Sequence, residues 1–508
     1  MNTLNRPRRS ALHSSEWRKE FSTRQAAKYR AQDNRLHVPP HGSIMEEFFR
    51  TYNPSLLPPR HHEVLRSFLN QARTKHLLSG IGTMPLSADE RVVAMVDDRC
   101  DPCLKFTSLP EIGAFLPVRR WDSEEYMSRP PEGLNVRVCG LGTTKLYEHL
   151  HKDRAGSAER RILYMVDLTP LVGLVLISSV TYLHLPQVRS FLSRYVGFQS
   201  FMGVSQDRGF TLEFHLPHYV LRDSDTRFQD TRKLRKHREF SLSGQISIYE
   251  VQLSMVVFGT DEFFWTAYFC EDAYFRDNNP TSQHLQDMAD GPSSGTRPTR
   301  FPIWDPRYYF LDVLVIRMGQ ITMEWSMMSE ILASSLDQQN DLFLEEDPSL
   351  EKTKEYTWIL VSLRQLRNLL ARVIASLVSF EANNSMYFDL ESDGLLYNRF
   401  RECFDQIRQY TAELVTIHLV IEQRIETLEK TSDVLVNASS LAESITATRQ
   451  GDNIRLLTYI SIGIFGMNQV SGDNAWWKYS VCLACFTIAT ITLAIGLQVV
   501  IPQWRKRQ

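Results

Sequence analysis

The spacing of apolar residues divides the chain into a region of short runs followed by a region of long helical patterns. Apolar runs in RVVAMVDD, NVRVCGL, RRILYMVDLTP and ISIYEVQLSMVVFG predict strands, and LPQVRSFLSRYVGF between them has helical spacing. Strands interleaved with helices predict an α/β or α+β domain over residues 90–276. The aromatic segment TDEFFWTAYFCEDAYF in this domain predicts buried packing.

Two polar stretches flank this domain. Residues 1–60 are basic and broken by prolines, which predicts a flexible leader, and residues 277–300 are rich in Pro, Gly, Ser and Asp, which predicts a linker. The leader has no apolar core of a secretory signal. A mitochondrial transit peptide and a solvated basic tail both fit its arginines, and Glu16 and Glu20 favour the tail. We expect the neighbouring His61 and His62 to face solvent.

Residues 301–394 predict amphipathic helices joined by an acidic loop. PRYYFLDVLVIRMGQITMEWSMMSEILASSL and YTWILVSLRQLRNLLARVIASLVSF both repeat apolar residues at intervals of three and four. The acidic tract between them contains Asp341, Glu345, Glu346, Asp347 and Glu351. Two interpretations of this tract stay open: a solvated loop, and a loop that attracts cations.

A long stalk helix is predicted for residues 395–455. Neither Gly nor Pro occurs from Leu395 to Gln450, and apolar side chains recur at Phe400, Phe404, Ile407, Leu414, Ile421, Ile425, Leu428, Leu435, Ala442 and Ile445. Such a helix reaches roughly 80 Å and needs neighbours along its length to be stable. An ordinary coiled coil is the alternative for this segment.

Two apolar runs near the carboxy terminus predict membrane segments. The run at 479–501 carries no charge and spans about 34 Å, enough to cross a hydrocarbon core of about 30 Å. Trp476, Trp477 and Trp504 flank it, as in interfacial aromatic belts. The first segment, 456–468, contains an apolar run that reaches only about 18 Å. Three alternatives are therefore open: a membrane hairpin, a single membrane anchor, or neither.

Charge distribution favours the hairpin. The tail at 502–508 carries Arg505, Lys506 and Arg507, which places it in the cytosol by the positive-inside rule. The long charged region before residue 450 is expected in the cytosol too. Two ends on one side require an even number of crossings, so 456–468 and 479–501 should both cross. The short segment 469–478, mildly acidic through Asp473, then forms an outer loop.

Composition excludes several other classes of function. The 508 residues carry a net charge of -2, without the basic excess expected of a nucleic-acid partner. Seven cysteines without regular spacing favour a reducing compartment. Cys100 and Cys103 form a CxxC with no second ligand pair at convincing spacing, so no direct metal ligands are predicted. No P-loop or HExxH occurs, and we do not expect an enzyme.

The tripeptide Gly466-Met467-Asn468 closes the first apolar run. A very long helix that enters a membrane segment ending in Gly-Met-Asn, a short outer loop, a second span and a basic tail occur in that order. This arrangement resembles the CorA-type magnesium transporter family, especially its divergent fungal members. The resemblance is specific from Leu395 onward, extends back to Pro306 through the helical part, and is only architectural over the α/β region.

The resemblance implies an α+β cytosolic domain followed by long stalk helices and a C-terminal two-helix membrane hairpin. It implies a homopentamer that transports magnesium, with hydrated divalent cations and the lipid bilayer as its partners and with no permanently bound cofactor. Both termini would be cytosolic, and we expect the plasma membrane in preference to the mitochondrial inner membrane.

In this arrangement the Gly-Met-Asn loops form the outer mouth of the pore. A ring of Asn468 amides could offer acceptor oxygens to the waters of hydrated Mg²⁺. Gly466 would permit a tight turn and Met467 would pack the mouth. The short first span departs from the family, which leaves open a compressed span, a splice variant or an error in the coding sequence. The alternative function is a transport-inactive, membrane-anchored binding or scaffold protein.

Overall fold

A computed structural model describes most of the chain between Glu16 and Asn468. The described residues are 16–24, 44–50, 59–72, 92–99, 137–152, 154, 158–207, 209–223, 228–240, 246–276, 278–340, 351–468, 484–485 and 488. By its internal contacts the chain divides into two units. The first comprises residues 1–345 and 355–429, and the second comprises residues 346–354 and 430–508.

The first unit is built on a mixed β-sheet. Its strands are β1 (Ala94–Arg99), β2 (Arg137–Leu141), β3 (Arg160–Val166), β4 (Phe201–Gln206), β5 (Phe210–Asp223), β6 (His237–Phe240), β7 (Ile246–Gly259) and β8 (Trp265–Glu271). They lie in the order β2-β1-β3-β8-β7-β5-β4, and β6 pairs with β7. Among these strands β3 and β8 pair in parallel and the other pairs are antiparallel. The strands predicted from apolar runs are confirmed.

Helices accompany the sheet and continue beyond it. They are α1 (Ile44–Arg50), α2 (Pro59–Asn70), α3 (Thr143–His151), α4 (Pro170–Ser179), α5 (Leu185–Val196), α6 (Pro280–Gln286), α7 (Pro306–Asn340), α8 (Glu351–Asn384) and α9 (Leu395–Asn468). Short 3₁₀ turns occupy Lys19–Ser22 and Ser385–Phe388. The helix predicted between the strands is α5, and the helical character predicted after Pro306 is confirmed by α7, α8 and α9.

The sheet is covered on both faces, which explains its nearly continuous apolar strands. Alternate side chains of a strand point to opposite faces. One set, including Val96, Leu163 and Cys270, packs in a core with α1, α2, α4 and α5. Among the side chains that point to the opposite face, the ring of Trp265 lies 5.6 Å from the ring of Tyr309 in α7. A strand buried on both faces carries few polar positions, so its sequence does not alternate.

Strands β5 and β7 form a long antiparallel pair that extends past its neighbours. They pair over 14 residues, from Phe210 opposite Gly259 to Asp223 opposite Ile246. Strand β8 pairs only with the Leu253–Gly259 part of β7. The β5–β7 pair therefore projects beyond β8, and helix α7 packs along β5. This projection leaves a space between the β5–β7 pair and α7.

Parts of the predicted leader are packed rather than flexible. Phe21 is 3% exposed, and its ring lies 5.6 Å from that of Phe210. Trp17 donates a hydrogen bond from Nε1 to Glu262 at 2.8 Å. Further along, Phe48 of α1 is fully buried in the domain core. Single aromatic residues between polar ones produce no periodicity, so this packing is invisible in the sequence pattern.

His62, which was expected to face solvent, is half-buried. Its imidazole lies edge-on to the ring of Phe49 at 4.5 Å. Burial between α1 and α2 lowers the pKa of the imidazole below its ordinary value. The side chain of His61 lies outside the described part of the structure.

The predicted linker at 277–300 contains a short helix and buried residues. Asn279 caps α6 by accepting a hydrogen bond from the backbone nitrogen of Thr281 at 3.0 Å, and Pro280 starts the helix. Asp290 accepts a hydrogen bond from the Tyr309 hydroxyl at 3.1 Å, which joins the segment to α7. Asn and Pro are helix-start residues as well as loop residues, which explains why the helix at Pro280–Gln286 was not predicted.

Candidate functional site

The Gly-Met-Asn tripeptide lies at the end of the longest helix. Helix α9 runs for 74 residues, about 110 Å, and Gly466, Met467 and Asn468 are its last three residues. The stalk and the first predicted membrane segment are therefore one helix. The helix passes through Gly451, where a β-carbon would meet no described atom within 4 Å. The backbone at Gly466 is helical and does not form the tight turn that we expected there.

The part of α9 in the first unit packs through the predicted apolar stripe. The residues Phe400, Phe404, Ile407, Leu414, Ile421, Ile425 and Leu428 are all buried. Phe404 stacks on Phe380 of α8 with ring centres 5.9 Å apart and planes 5° from parallel. Arg364 of α8 also donates to Glu429 of α9 at 2.7 Å. This part of the prediction is confirmed, and it shows that α9 gains its stability from neighbours rather than from propensity alone.

The part of α9 in the second unit presents apolar side chains to solvent. Val434, Leu441, Ile454 and Leu457 are between 62% and 63% exposed, and Ile445 is 46% exposed. Single exposed apolar residues are common on proteins, and several of them occur along this part of the helix. We call this segment, residues 434–457, the upper stalk. Among the described residues of the single chain, the apolar stripe from Phe400 to Leu428 is buried, and we call that segment the lower part of α9. The apolar side chains of the upper stalk are exposed instead.

The predicted membrane segments are described only in part. Of the segment 456–468 the helical backbone is described, and of the segment 479–501 only residues 484, 485 and 488 are. Within the described ranges, no helix combines the length and the apolar character required to cross a bilayer. The side chains of residues 462–468, including that of Asn468, lie outside the description.

The other predicted site residues fall outside the described residues. This applies to the outer-loop residue Asp473, to the acidic tract Asp341, Glu345, Glu346 and Asp347, and to the membrane-flanking residues Trp476, Trp477, Trp504, Arg505, Lys506 and Arg507. Cys100 and Cys103 lie outside it as well. In the part that is described, no group of three or more His, Cys, Asp or Glu side chains could hold a metal ion.

The sequence analysis missed a buried ionic cluster at the end of β8. Asp272 is fully buried and accepts hydrogen bonds from Arg235 at 2.5 Å and Arg232 at 2.9 Å, and also from the Tyr195 hydroxyl. The paired arginines lower the pKa of this carboxyl group to about 2 despite its burial. Arg232 also binds Asp230 at 2.7 Å. The available signal was the basic run RKLRKHR at 232–238, whose arginines need acidic partners when buried.

A second missed feature is Glu271, the neighbour of Asp272 on the opposite face of the sheet. Its Oε2 accepts hydrogen bonds from Arg317 of α7 at 2.9 Å and from the Tyr164 hydroxyl at 3.0 Å. These partners lower the pKa of Glu271 although burial opposes the shift. Glu271 and Asp272 therefore attach the sheet to the helices on its two faces. Both are structural ion pairs that position the domain, and Glu271 also lines a cavity.

In a comparison with known proteins, this chain is similar to solved structures only. No protein-family profile and no curated protein matches the chain. The soluble domain of CorA from Methanocaldococcus jannaschii is 10% identical over 55% of this chain and 89% of that one, with a TM-score of 0.32. The complete CorA magnesium transporter from the same organism is 10% identical over 79% and 97%, with a TM-score of 0.37. The ZntB cytoplasmic domain from Vibrio parahaemolyticus RIMD 2210633 is 11% identical over 58% and 96%, with a TM-score of 0.31. Because TM-scores this low do not establish a common fold, the function must follow from the chain's own residues.

Proposed function

We propose that this chain is a subunit of a CorA-like homopentameric membrane channel that conducts hydrated magnesium ions. The observation that carries the proposal is the position of Gly466-Met467-Asn468 at the end of one unbroken helix of 74 residues. The tripeptide stands between two apolar runs and follows an α+β domain with long helices, the order that resembles the CorA-type family. In this proposal the membrane hairpin comprises 456–468 and 479–501, with both termini in the cytosol.

The exposed upper stalk supports an oligomer. A helix in water is stabilised mainly by burying its apolar face. Leu441 and Ile445 lie four residues apart, on one side of the helix, and both are exposed in the single chain. Copies of the same segment would cover them in a symmetric bundle of stalk helices. The number five comes from the resemblance alone and is part of the proposal.

The chemistry of the tripeptide fits a hydrated cation. Mg²⁺ holds its waters tightly, so a pore can recognise the hydrated ion by hydrogen bonds to those waters. A carboxamide such as that of Asn468 supplies an acceptor oxygen without a charge that would bind the ion too firmly to release it. Acidic residues such as Asp473 and the tract Asp341, Glu345, Glu346 and Asp347 would raise the local cation concentration at the two ends of the pathway.

Growth of a magnesium-dependent yeast strain tests this function. We expect the unaltered chain to restore growth and magnesium uptake, and Asn468→Ala to lower uptake about tenfold, the effect of losing roughly 1.4 kcal/mol at the limiting step. Asn453→Ala is the matched control, because Asn453 is an exposed Asn in the same helix but outside the tripeptide. Equal uptake by both variants would contradict a selective role for Asn468.

The short first span favours a second candidate function. The apolar run from Leu456 to Met467 has 12 residues and reaches about 18 Å, against a hydrocarbon core of about 30 Å. A transport-inactive protein that retains the fold as a membrane-anchored scaffold fits this length. In the yeast test, a chain that reaches the membrane in normal amount and restores no uptake supports the scaffold and excludes the channel.

A further inference from the structure

A cavity of about 520 Å³ lies in the first unit, between the projecting β5–β7 pair and helix α7. Its size is in the range of sites that hold small organic molecules. It is independent of the tripeptide and of the upper stalk, and no step of the proposed transport uses it. The chemistry of its lining therefore decides which molecule it would accept.

The walls of the cavity are mainly apolar. Val220 of β5, Val251 and Leu253 of β7, and Ile321 of α7 line it and are at most 4% exposed. Phe275, after β8, supplies an aromatic wall that is 3% exposed. A ligand body in contact with these side chains must be apolar, because polar atoms placed against them would lose their hydrogen bonds to water.

The ionised groups inside the cavity are already paired. Glu324 receives two hydrogen bonds from Arg222, at 2.7 and 3.0 Å. Glu271 is held by Arg317 at 2.9 Å, and its other oxygen lies 3.5 Å from Arg276. The remaining charged residue of the lining, Glu330, is exposed to water. A charged ligand would have to displace one of these pairs, so the cavity favours a neutral one.

His218 supplies a polar atom that can recognise a ligand. His218 lines the cavity and is 4% exposed. Its Nδ1 lies 3.2 Å from the carbonyl oxygen of Leu216, which can only accept, so Nδ1 carries the ring proton. Nε2 therefore keeps a free lone pair, without a hydrogen-bond partner among the described residues. Burial lowers the pKa of the imidazole to about 4, which keeps the ring neutral and Nε2 an acceptor at pH 7.

We propose that this cavity binds a neutral apolar molecule with a single hydroxyl group, a phenol or a hydrophobic alcohol, whose hydroxyl donates to Nε2 of His218. The apolar walls hold the body of the molecule, and the hydroxyl donates to a nitrogen that has no partner among the described residues. A ligand without a donor would exclude water from this nitrogen and leave it unpaired, so the site discriminates against an equally apolar molecule that has no donor.

Four fluorinated probes test the proposal on the full chain in lipid nanodiscs, with empty nanodiscs as background and fluorine NMR as readout. The probes are 4-fluorophenol, 4-fluoroanisole, 4-fluorobenzoate and 4-fluorobenzylammonium, which differ in donor and charge on one ring. We expect 4-fluorophenol to bind about two- to tenfold more tightly than 4-fluoroanisole, the range of one net hydrogen bond. The two charged probes should bind more weakly than the phenol.

A pair of variants locates the binding. His218→Phe keeps an aromatic ring but removes the acceptor, and it should make the affinities for phenol and anisole equal. His184→Phe is the matched control, since His184 is a half-buried histidine that packs on Phe258 and does not line the cavity. It should leave the preference for phenol unchanged.

Three results would overturn the proposal: equal affinity of the unaltered chain for phenol and anisole, tighter binding of either charged probe, or no binding of any probe. These comparisons use the unaltered chain, so they decide the matter even where His218→Phe does not fold. None of them depends on magnesium uptake, so their outcome is separate from that of the yeast test.

Discussion

Asp272 shows how single buried charges hold the first unit together. The carboxylate follows β8, and its partners come from α5 through Tyr195, from β7 through the backbone nitrogen of Gln252 at 2.9 Å, and from the segment that carries Arg232 and Arg235. One side chain therefore joins groups from several parts of the chain. A buried ion pair adds little over a hydrophobic pair, but removal of one partner leaves the others buried and unpaired.

At the residue scale we predict that Asp272→Asn lowers the free energy of unfolding by about 3 to 5 kcal/mol, because two buried arginines lose their counter-charge. Fluorescence of the buried Trp265 and Trp325 during urea unfolding of the full chain measures the change. The exposed Asp287→Asn is the matched control and should change it by less than about 0.5 kcal/mol.

The same substitution should alter the acid dependence of stability. Because the pKa of Asp272 is about 2 in the folded chain, below its ordinary value of 3.8, its stabilising contribution is present above that ordinary value and is lost as the pH falls through about 2. Unfolding curves of the unaltered chain should therefore shift over this interval more than those of Asp272→Asn. Parallel shifts would show that Asp272 does not carry this part of the acid dependence.

Helix α9 has two environments along one continuous element. Its lower part is stabilised by α8 within the first unit, through Phe404 on Phe380 and Arg364 on Glu429. Its upper stalk carries exposed apolar residues instead. The helical backbone is continuous through both parts. The two parts differ in the exposure of their apolar side chains.

At the element scale we predict that Leu441→Glu combined with Ile445→Glu dissociates the oligomer or reduces its order, since charges replace two apolar side chains on one helix face. Light scattering after size-exclusion chromatography in detergent measures the mass of the complex.

The matched control combines Ser440→Glu with Ser444→Glu, which adds the same charges at the same spacing one position earlier. It should retain the mass of the unaltered complex. A monomeric unaltered chain, or equal masses for both double variants and the unaltered chain, would contradict assembly through this face.

For the whole molecule, the proposed function requires that the chain cross the membrane twice. We predict that tags placed at residue 1 and at residue 508 are both protected from a protease added outside intact cells, because Arg505, Lys506 and Arg507 retain the tail in the cytosol. Accessibility of one tag only would show an odd number of crossings and exclude the hairpin.

Local pattern alone predicted strands β1, β2, β3 and β7 and helices α5, α7, α8 and α9. Strands β1, β3 and β7 stand out as apolar runs because both faces of the sheet are buried. The part of α9 up to Gln450 follows from the absence of Gly and Pro after Leu395, whereas its continuation to Asn468 passes through Gly451. The segments that pattern misassigned, around Phe21 and α6, are short and held by isolated contacts with distant residues.

The sequence by itself determined the long stalk helix that begins at Leu395 and the place of Gly466-Met467-Asn468 at the close of an apolar run, because these properties depend on neighbours along the chain. Only the tertiary structure decided which strands pair, which arginines meet Asp272, and that His218 lines a cavity opposite α7. Those features join residues tens of positions apart. Hydrophobic periodicity reports which face of an element is buried but not which other element covers it, so such contacts leave no local signal.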